Sequence, residues 1–183
     1  MVSGNIKIGI GVTTYIRAEH FEVWSNQVNK FMPDAEVLID VQIDQPRKGI
    51  AFRKNENLKA LKGCDYVFLF DDDCFPIKKG WAEFFIEASK ASGQQHFMYL
   101  KETPMIKKVG SFIEDIIIQE TNSGKRLYNI NIYNNCSGCM MFMTKEVIEK
   151  VGAYNPAYGI YGFEHAGYSN RIHMAGLTPL GTY

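Results

Sequence analysis

The chain has 183 residues, 46% hydrophobic and 13% aromatic, with 20 basic and 20 acidic side chains. That is core enough for one compact domain without disulfide or metal staples, and the balanced charge supplies no general field to gather nucleic acid or an anionic membrane. No apolar run approaches the roughly 20 residues of a membrane span, and the opening MVSGNIKIGIGV lacks a signal layout, so a cytoplasmic chain without a transmembrane segment is expected.

In chain order, IKIGIGVT at residues 6–13 reads as a strand, followed by the polar loop TYIR. Phe21, Trp24, Val28 and Phe31 then recur at helical spacing until Pro33. EVLIDVQI at 36–43 is a second strand, DQPRKG a loop, and a helix runs from about Ala51 to a stop at Gly63. YVFLF at 66–70 is continuously apolar, as a central parallel strand covered on both faces should be. Trp81, Phe84, Phe85 and Ala88 mark another amphipathic helix. Three strand–helix alternations predict an α/β layer with a mostly parallel central sheet flanked by helices.

Between Gly93 and Asn135 the pattern is weaker, with strands predicted near 96–100, 112–118 and 127–132. Residues 139–143 read as a strand, Thr144 as the N-cap of the helix KEVIEKV stopped by Gly152, and residues 164–175 as a last helix ending at Gly176. Four cysteines, Cys64, Cys74, Cys136 and Cys139, are expected to be free thiols. Cys136 and Cys139 form a C-S-G-C pair, but it lies in a loop and has no second pair at zinc-site spacing.

The feature in need of explanation is FLFDDDCFP, where an apolar strand runs into Asp71, Asp72 and Asp73. In an extended segment Asp71 and Asp73 point the same way and Asp72 the other, so the outer pair can converge on one cation. Oxygen ligands around a hard divalent ion suit Mg²⁺ or Mn²⁺ bridging to phosphates. The competing explanation is a solvated turn, or a cap for a helix starting near Ile77.

Further motifs occur in order around this one: VTTYIR at 12–17, GIAFRKNEN at 49–57, and then SGCMMF, VGAYNP and FEHAGYSNR. Together they make residues 6–177 resemble the family-2 glycosyltransferases of the GT-A fold. The resemblance implies a single GT-A domain over 1–183, with a nucleotide-sugar half at about 1–92 and an acceptor half at about 93–183. It implies metal-dependent, inverting transfer of a sugar from a nucleotide-diphospho-sugar, taken as UDP-linked, to an acceptor hydroxyl. The acceptor, whether glycan, lipid carrier, protein or nucleic acid, is left open, as is a homodimer.

The resemblance places Thr13, Tyr15, Arg17 and Asp44 at the base and ribose, Asp71 near the ribose or metal, Asp73 on the ion, and Asp72 as a substitute for either. Arg53 and Asn57, four apart on one helical face, can aim at the same ligand, with an exposed helical face as the rival explanation. Where the family carries Glu-Asp, this chain has Glu164-His165, and the next acidic position is Gly167. His165 is therefore the expected base or a third metal ligand, with Glu164 as the alternative base or a helix cap. Arg171, seven residues on, orients Glu164 or contacts phosphate. The loop AYGIYGF before them is expected to close over the sugar.

Two departures, the missing Glu-Asp and the few residues after Gly176, motivate an alternative in which the fold binds a nucleotide-sugar or carbohydrate without turnover. A nucleotidyltransferase is disfavoured because VTTYIRAEH has neither lysine nor a glycine-rich phosphate loop.

Overall fold

A computed structural model describes residues 6–98, 112–119, 127–133 and 138–179, the two middle segments as backbone only. Its elements are β1 (Lys7–Thr14), α1 (Ala18–Lys30), β2 (Glu36–Ile43), α2 (Ile50–Ala60), β3 (Tyr66–Asp71), α3 (Trp81–Ser92), β4 (His96–Met98), β5 (Phe112–Gln119), β6 (Leu127–Tyr133), β7 (Met140–Thr144), α4 (Lys145–Val151), a 3₁₀ turn at Pro156–Tyr158, and α5 (Glu164–Met174). The central sheet has the order β2-β1-β3-β7-β4. β1 is parallel to β2 and β3, whereas β7 runs antiparallel to both of its neighbours. β5 and β6 form a separate antiparallel pair.

The apolar run of β3 takes the central place, and Val67, Phe68, Leu69 and Phe70 are all buried. Successive residues point to opposite faces, which creates two cores. On one face Phe68 and Phe70 join Ile8, Ile10, Trp24 and Trp81 beneath α1 and α3. Phe68 meets the Trp81 ring edge-on at 4.7 Å between centroids, and the Trp81 indole N–H donates to the Phe31 carbonyl at 2.9 Å. On the other face Val67 and Leu69 join Leu61, Met141, Tyr168 and Ile172 beneath α2, α4 and α5. The architecture is helices, sheet, helices.

In β1 the alternation puts Gly9 and Gly11 under α2. A Cβ on Gly11 would stand 2.7 Å from Leu69 Cδ2 and 3.0 Å from Asn57 Cβ, so the helix rests directly on the strand backbone. Asn57 satisfies its buried amide there. It accepts from the Thr13 hydroxyl at 3.2 Å and donates to the Asp40 carboxylate at 2.8 Å.

Three local expectations change. The helix after β3 starts at Trp81 and not near Ile77, so the aspartates do not cap it. Thr144 does occupy the N-cap of α4 but makes no side-chain cap bond, and its buried Oγ1 has no hydrogen-bond partner among the described residues. Backbone bonds fix that corner instead, from Thr144 N–H to the Gln95 carbonyl and from Lys145 N–H to the Asp65 carbonyl. The predicted strand at 96–100 is described only through Met98. Among the described residues Cys64, Cys74 and Cys139 form no disulfide, and Cys136 lies outside the described residues.

His96 in β4 is fully buried between the Phe142 carbonyl and the Ser169 hydroxyl, each 2.8 Å from a ring nitrogen. Burial pulls it down to about 4, against a smaller upward pull from the Phe142 carbonyl. The unfolded chain therefore takes up a proton near pH ~6.5 that the folded chain refuses until about 4. Stability contributed by neutral His96 is intact above ~6.5 and falls as the pH drops toward about 4, a loss of about 3 kcal/mol by linkage. Urea unfolding of wild type and His96→Gln across this window should show the slope in the first and a much flatter profile in the second.

Candidate nucleotide-sugar site

The carboxyl ends of β1, β2 and β3 converge on a cleft of about 210 Å³. Thr13, Thr14, Tyr15 and Arg17 reach it from β1, Asp44 and Arg47 from the loop after β2, Asp71, Asp72 and Asp73 from β3, and Ile160 and Tyr161 from the loop before α5. This is the position at which open α/β sheets bind ligands.

At one end Asp44 is a fixed anion. Its carboxylate accepts from the backbone N–H of Lys48 at 2.8 Å, from that of Gly49 at 3.1 Å, and from Arg53 Nε at 3.0 Å. Burial alone would raise this carboxyl, but those donors hold it below its ordinary value. Arg53 also donates to the Pro46 carbonyl. It positions Asp44, while Asn57 is committed to β1 and β2, so the pair does not aim at one ligand from a shared helical face. Arg47 covers the Tyr15 ring, 4.9 Å from its centroid.

The acidic triplet does not alternate as an extended strand would. β3 ends at Asp71, and the Cys74 N–H bonds back to the Asp71 carbonyl at 3.1 Å, closing a turn. The consecutive Asp72 and Asp73 consequently share one cation, Arg17, whose Nη2 lies 3.0 Å from Asp72 Oδ1 and 2.9 Å from Asp73 Oδ2. Asp72 is buried and also accepts from the Thr14 hydroxyl at 2.6 Å. The preceding Ile16 is held at φ 48°, a left-handed conformation costly for a β-branched residue.

Asp71 faces the other way, toward Lys54, a residue that no local signal singles out. Lys54 is 1% exposed, with Nζ 3.5 Å from Asp71 Oδ1, 3.4 Å from Glu164 Oε1 and 3.4 Å from the Gly138 carbonyl. Burial opposes the ammonium form, yet the two carboxylates more than offset it and raise the lysine above its ordinary value. For Asp71, burial dominates over the Lys54 charge and pushes the carboxyl up.

Glu164, at the start of α5, behaves differently. Burial would raise it, but the adjacent His165 and the Lys54 charge hold it at about 2. The Gly162 N–H also donates to Glu164 Oε2 at 3.2 Å. His165 Nδ1 lies 3.5 Å from Glu164 Oε1, and its ring packs against Gly138. Gly167, the departure from the acidic pattern, has a local reason: a Cβ there would collide with the Tyr158 hydroxyl at 2.0 Å. Arg171 neither orients Glu164 nor approaches the cleft; its guanidinium holds the carbonyls of Ala153 and Val151. The aromatic loop is tied down, with the Ile50 N–H bonded to the Ile160 carbonyl at 2.9 Å, yet it leaves Tyr161 and Phe163 exposed.

A metal site formed by Asp71, Asp73 and His165 is not assembled. Among the described residues, the group whose ligand atoms gather is His20, Asp72 and Asp73, all within 4.8 Å of one another. Two carboxylates and an imidazole fit a divalent cation. His20 lies one turn along α1 from Arg17, too far from the triplet in sequence to be chosen from its spacing.

No protein-family model matches the chain. An uncharacterised glycosyltransferase of Acanthamoeba polyphaga mimivirus is 24% identical over 184 residues, covering 98% of this chain and 64% of that protein. The mannosyltransferase PcManGT from Pyrobaculum calidifontis, solved with GDP-Man and Mn²⁺, superposes with a TM-score of 0.66 at 12% identity, over 96% of this chain and 54% of that one. The chain has the GT-A fold. GalNAc-T7, solved with UDP, GalNAc and Mn²⁺, shares the GT-A fold at a TM-score of 0.63 and 13% identity, over 96% of this chain and 42% of that one. The chain thus spans about half the length of these two GT-A structures. No helix among its described residues is long and apolar enough to cross a membrane.

Removing Lys54 from this GT-A core would leave Glu164 buried and Asp71 half-covered without their shared counter-ion. Lys54→Met should cost about 3 kcal/mol in urea unfolding, because the loss of one partner strands the others. Adding Glu164→Gln to it should return part of that loss, a non-additivity readable in a double-mutant cycle.

Proposed function

We propose that the chain is a metal-dependent glycosyltransferase that moves a sugar from a nucleotide-diphospho-sugar, with UDP as the nucleotide, to an acceptor hydroxyl with inversion. The observation that carries this reading is the cleft itself, where a fixed Asp44 at one end faces an acidic triplet at the other across Thr13, Tyr15 and Arg17. In this reading Asp44 and Thr13 receive the hydrogen-bonding groups of the base and ribose. Arg17 and Arg47 supply positive charge where the diphosphate lies, and Arg53 keeps Asp44 aimed.

Asp72 and Asp73 would hold Mn²⁺ or Mg²⁺, which when bound neutralises charge growing on the leaving diphosphate. A second cavity of about 760 Å³, lined among others by Trp81, Phe84, Phe75 and Met140, also opens on Asp71 and Asp73. We place the acceptor there. A carboxylate held at about 2 by Lys54 and His165 is a poor proton acceptor, so Glu164 serves as an anchor and His165 as the general base.

Two measurements test this. Thermal unfolding with UDP-sugars should show stabilisation that requires Mn²⁺ and disappears with EDTA or in Asp73→Ala; unchanged affinity in both would assign the triplet to a structural turn. His165→Ala should lower turnover by about 10² to 10⁴-fold with nucleotide binding preserved. If Glu164→Gln abolishes turnover while His165→Ala is neutral, the base is Glu164.

A further inference from the structure

One nitrogen of the Arg17 guanidinium meets more acceptors than it has protons. A single nitrogen, Nη2, lies 2.9 Å from His20 Nδ1, 3.0 Å from Asp72 Oδ1 and 2.9 Å from Asp73 Oδ2. That nitrogen carries two protons, so three acceptors at full hydrogen-bond distance over-subscribe it. The excess is the more telling because Asp72 is itself buried and its other oxygen is already taken by Thr14. Three acceptors drawn around one point, two of them anionic, describe a cation position larger in charge than a monovalent guanidinium provides.

We propose that Arg17 is a displaceable resident of a divalent-metal site made by His20, Asp72 and Asp73, and that metal loading ejects Arg17 toward the donor diphosphate. The ligand atoms already lie within 4.8 Å of one another, so the site needs Arg17 to leave more than it needs the ligands to move. Arg17 can leave cheaply, since its side chain is 41% exposed. It also has a destination, because it lines the cleft between Tyr15 and the triplet. A guanidinium there forms the paired, charge-assisted bonds that phosphate oxygens accept. An imidazole among the ligands disfavours Mg²⁺, which demands oxygen donors in near-ideal octahedral order, and favours Mn²⁺.

Metal and diphosphate are then coupled through one side chain: each ejects or captures Arg17 and so promotes the other. This second half rests on the glycosyltransferase reading given above; the first half, the metal site, does not.

The test titrates Mn²⁺ alone into the full chain, following the free-ion EPR signal, with wild type, His20→Ala, Arg17→Met and Asp71→Asn. His20→Ala removes an exposed side chain and should weaken Mn²⁺ about 10-fold or more, as loss of metal-site groups does. Arg17→Met should tighten it several-fold by deleting the competitor, and Asp71→Asn should change it little. Pulsed EPR on the wild-type complex should show nitrogen coupling from imidazole that is absent in His20→Ala. Arg17→Lys replaces Arg17→Met if the latter does not fold, and should again bind Mn²⁺ more tightly because its stem reaches the three acceptors less well.

Wild-type affinity in His20→Ala, or loss of Mn²⁺ in Asp71→Asn instead, would overturn the site. Unchanged or weaker Mn²⁺ binding on replacement of Arg17 would overturn the displacement. UDP should raise Mn²⁺ affinity in wild type, and Arg17→Met should abolish most of that enhancement; persistence of the full enhancement would overturn the coupling. If the metal site behaves as stated while no nucleotide-sugar is bound or hydrolysed, it is the proposed function that fails.

Discussion

A single buried ammonium holds the site together. Lys54 leaves α2 and ends among the tip of β3, the carbonyl of Gly138 ahead of β7, and the first residue of α5. Taking one charge out of water costs several kcal/mol, more than one partly solvated carboxylate returns. Two carboxylates and a carbonyl make the burial tenable. They also convert a solvation problem into geometry, since the ammonium is satisfied only while three elements keep their mutual distances. Asp71 and Glu164 are thereby fixed relative to each other by an atom that need not touch a ligand.

The same economy appears at the other end of the cleft. Asp44 is surrounded by two backbone N–H groups and Arg53 before any ligand arrives. Its orientation is therefore set in advance, and a ligand that meets it does not have to order it. Arg17 differs because its partners Asp73 and His20 are exposed. The cleft combines a rigid end, built from satisfied buried groups, with an adjustable end at the surface.

Much of this was legible because the strong signals are local. The apolar run before Asp71 placed the central strand, the 3.6-residue spacing of Trp24 and Val28 placed α1, and the order of the motifs gave the GT-A fold. The failures occur where tertiary contacts override a local rule. Alternation paired Asp71 with Asp73, but the strand stops at Asp71 and a turn pairs Asp72 with Asp73. Helical spacing paired Arg53 with Asn57, but α2 buries Asn57 against β1 and turns Lys54 inward, and a lysine in the middle of a charged stretch reads as solvent-facing. The spacing of Arg171 from Glu164 along α5 points to that carboxylate, whereas the carbonyls of Val151 and Ala153 at the end of α4 take its guanidinium. The reversed direction of β7 has no signature in its own residues. His20 has none either, because its partners lie more than 50 residues away.

The bare backbone of β1 under α2 has a meaning for how this site can change. Gly11 sets how closely the helix approaches the sheet, and Asn57, the residue it makes room for, lies one turn beyond Lys54 on that helix. A methyl group at position 11 would be felt first as a steric push, but α2 is a stiff rod and would carry the displacement to the ammonium. A few tenths of an ångström at Nζ changes the field at Asp71 and Glu164 together. Strand β1 thus acts as a spacer that calibrates charge at a distance, and variation at an apolar, ligand-free position would be read out as altered chemistry in the cleft.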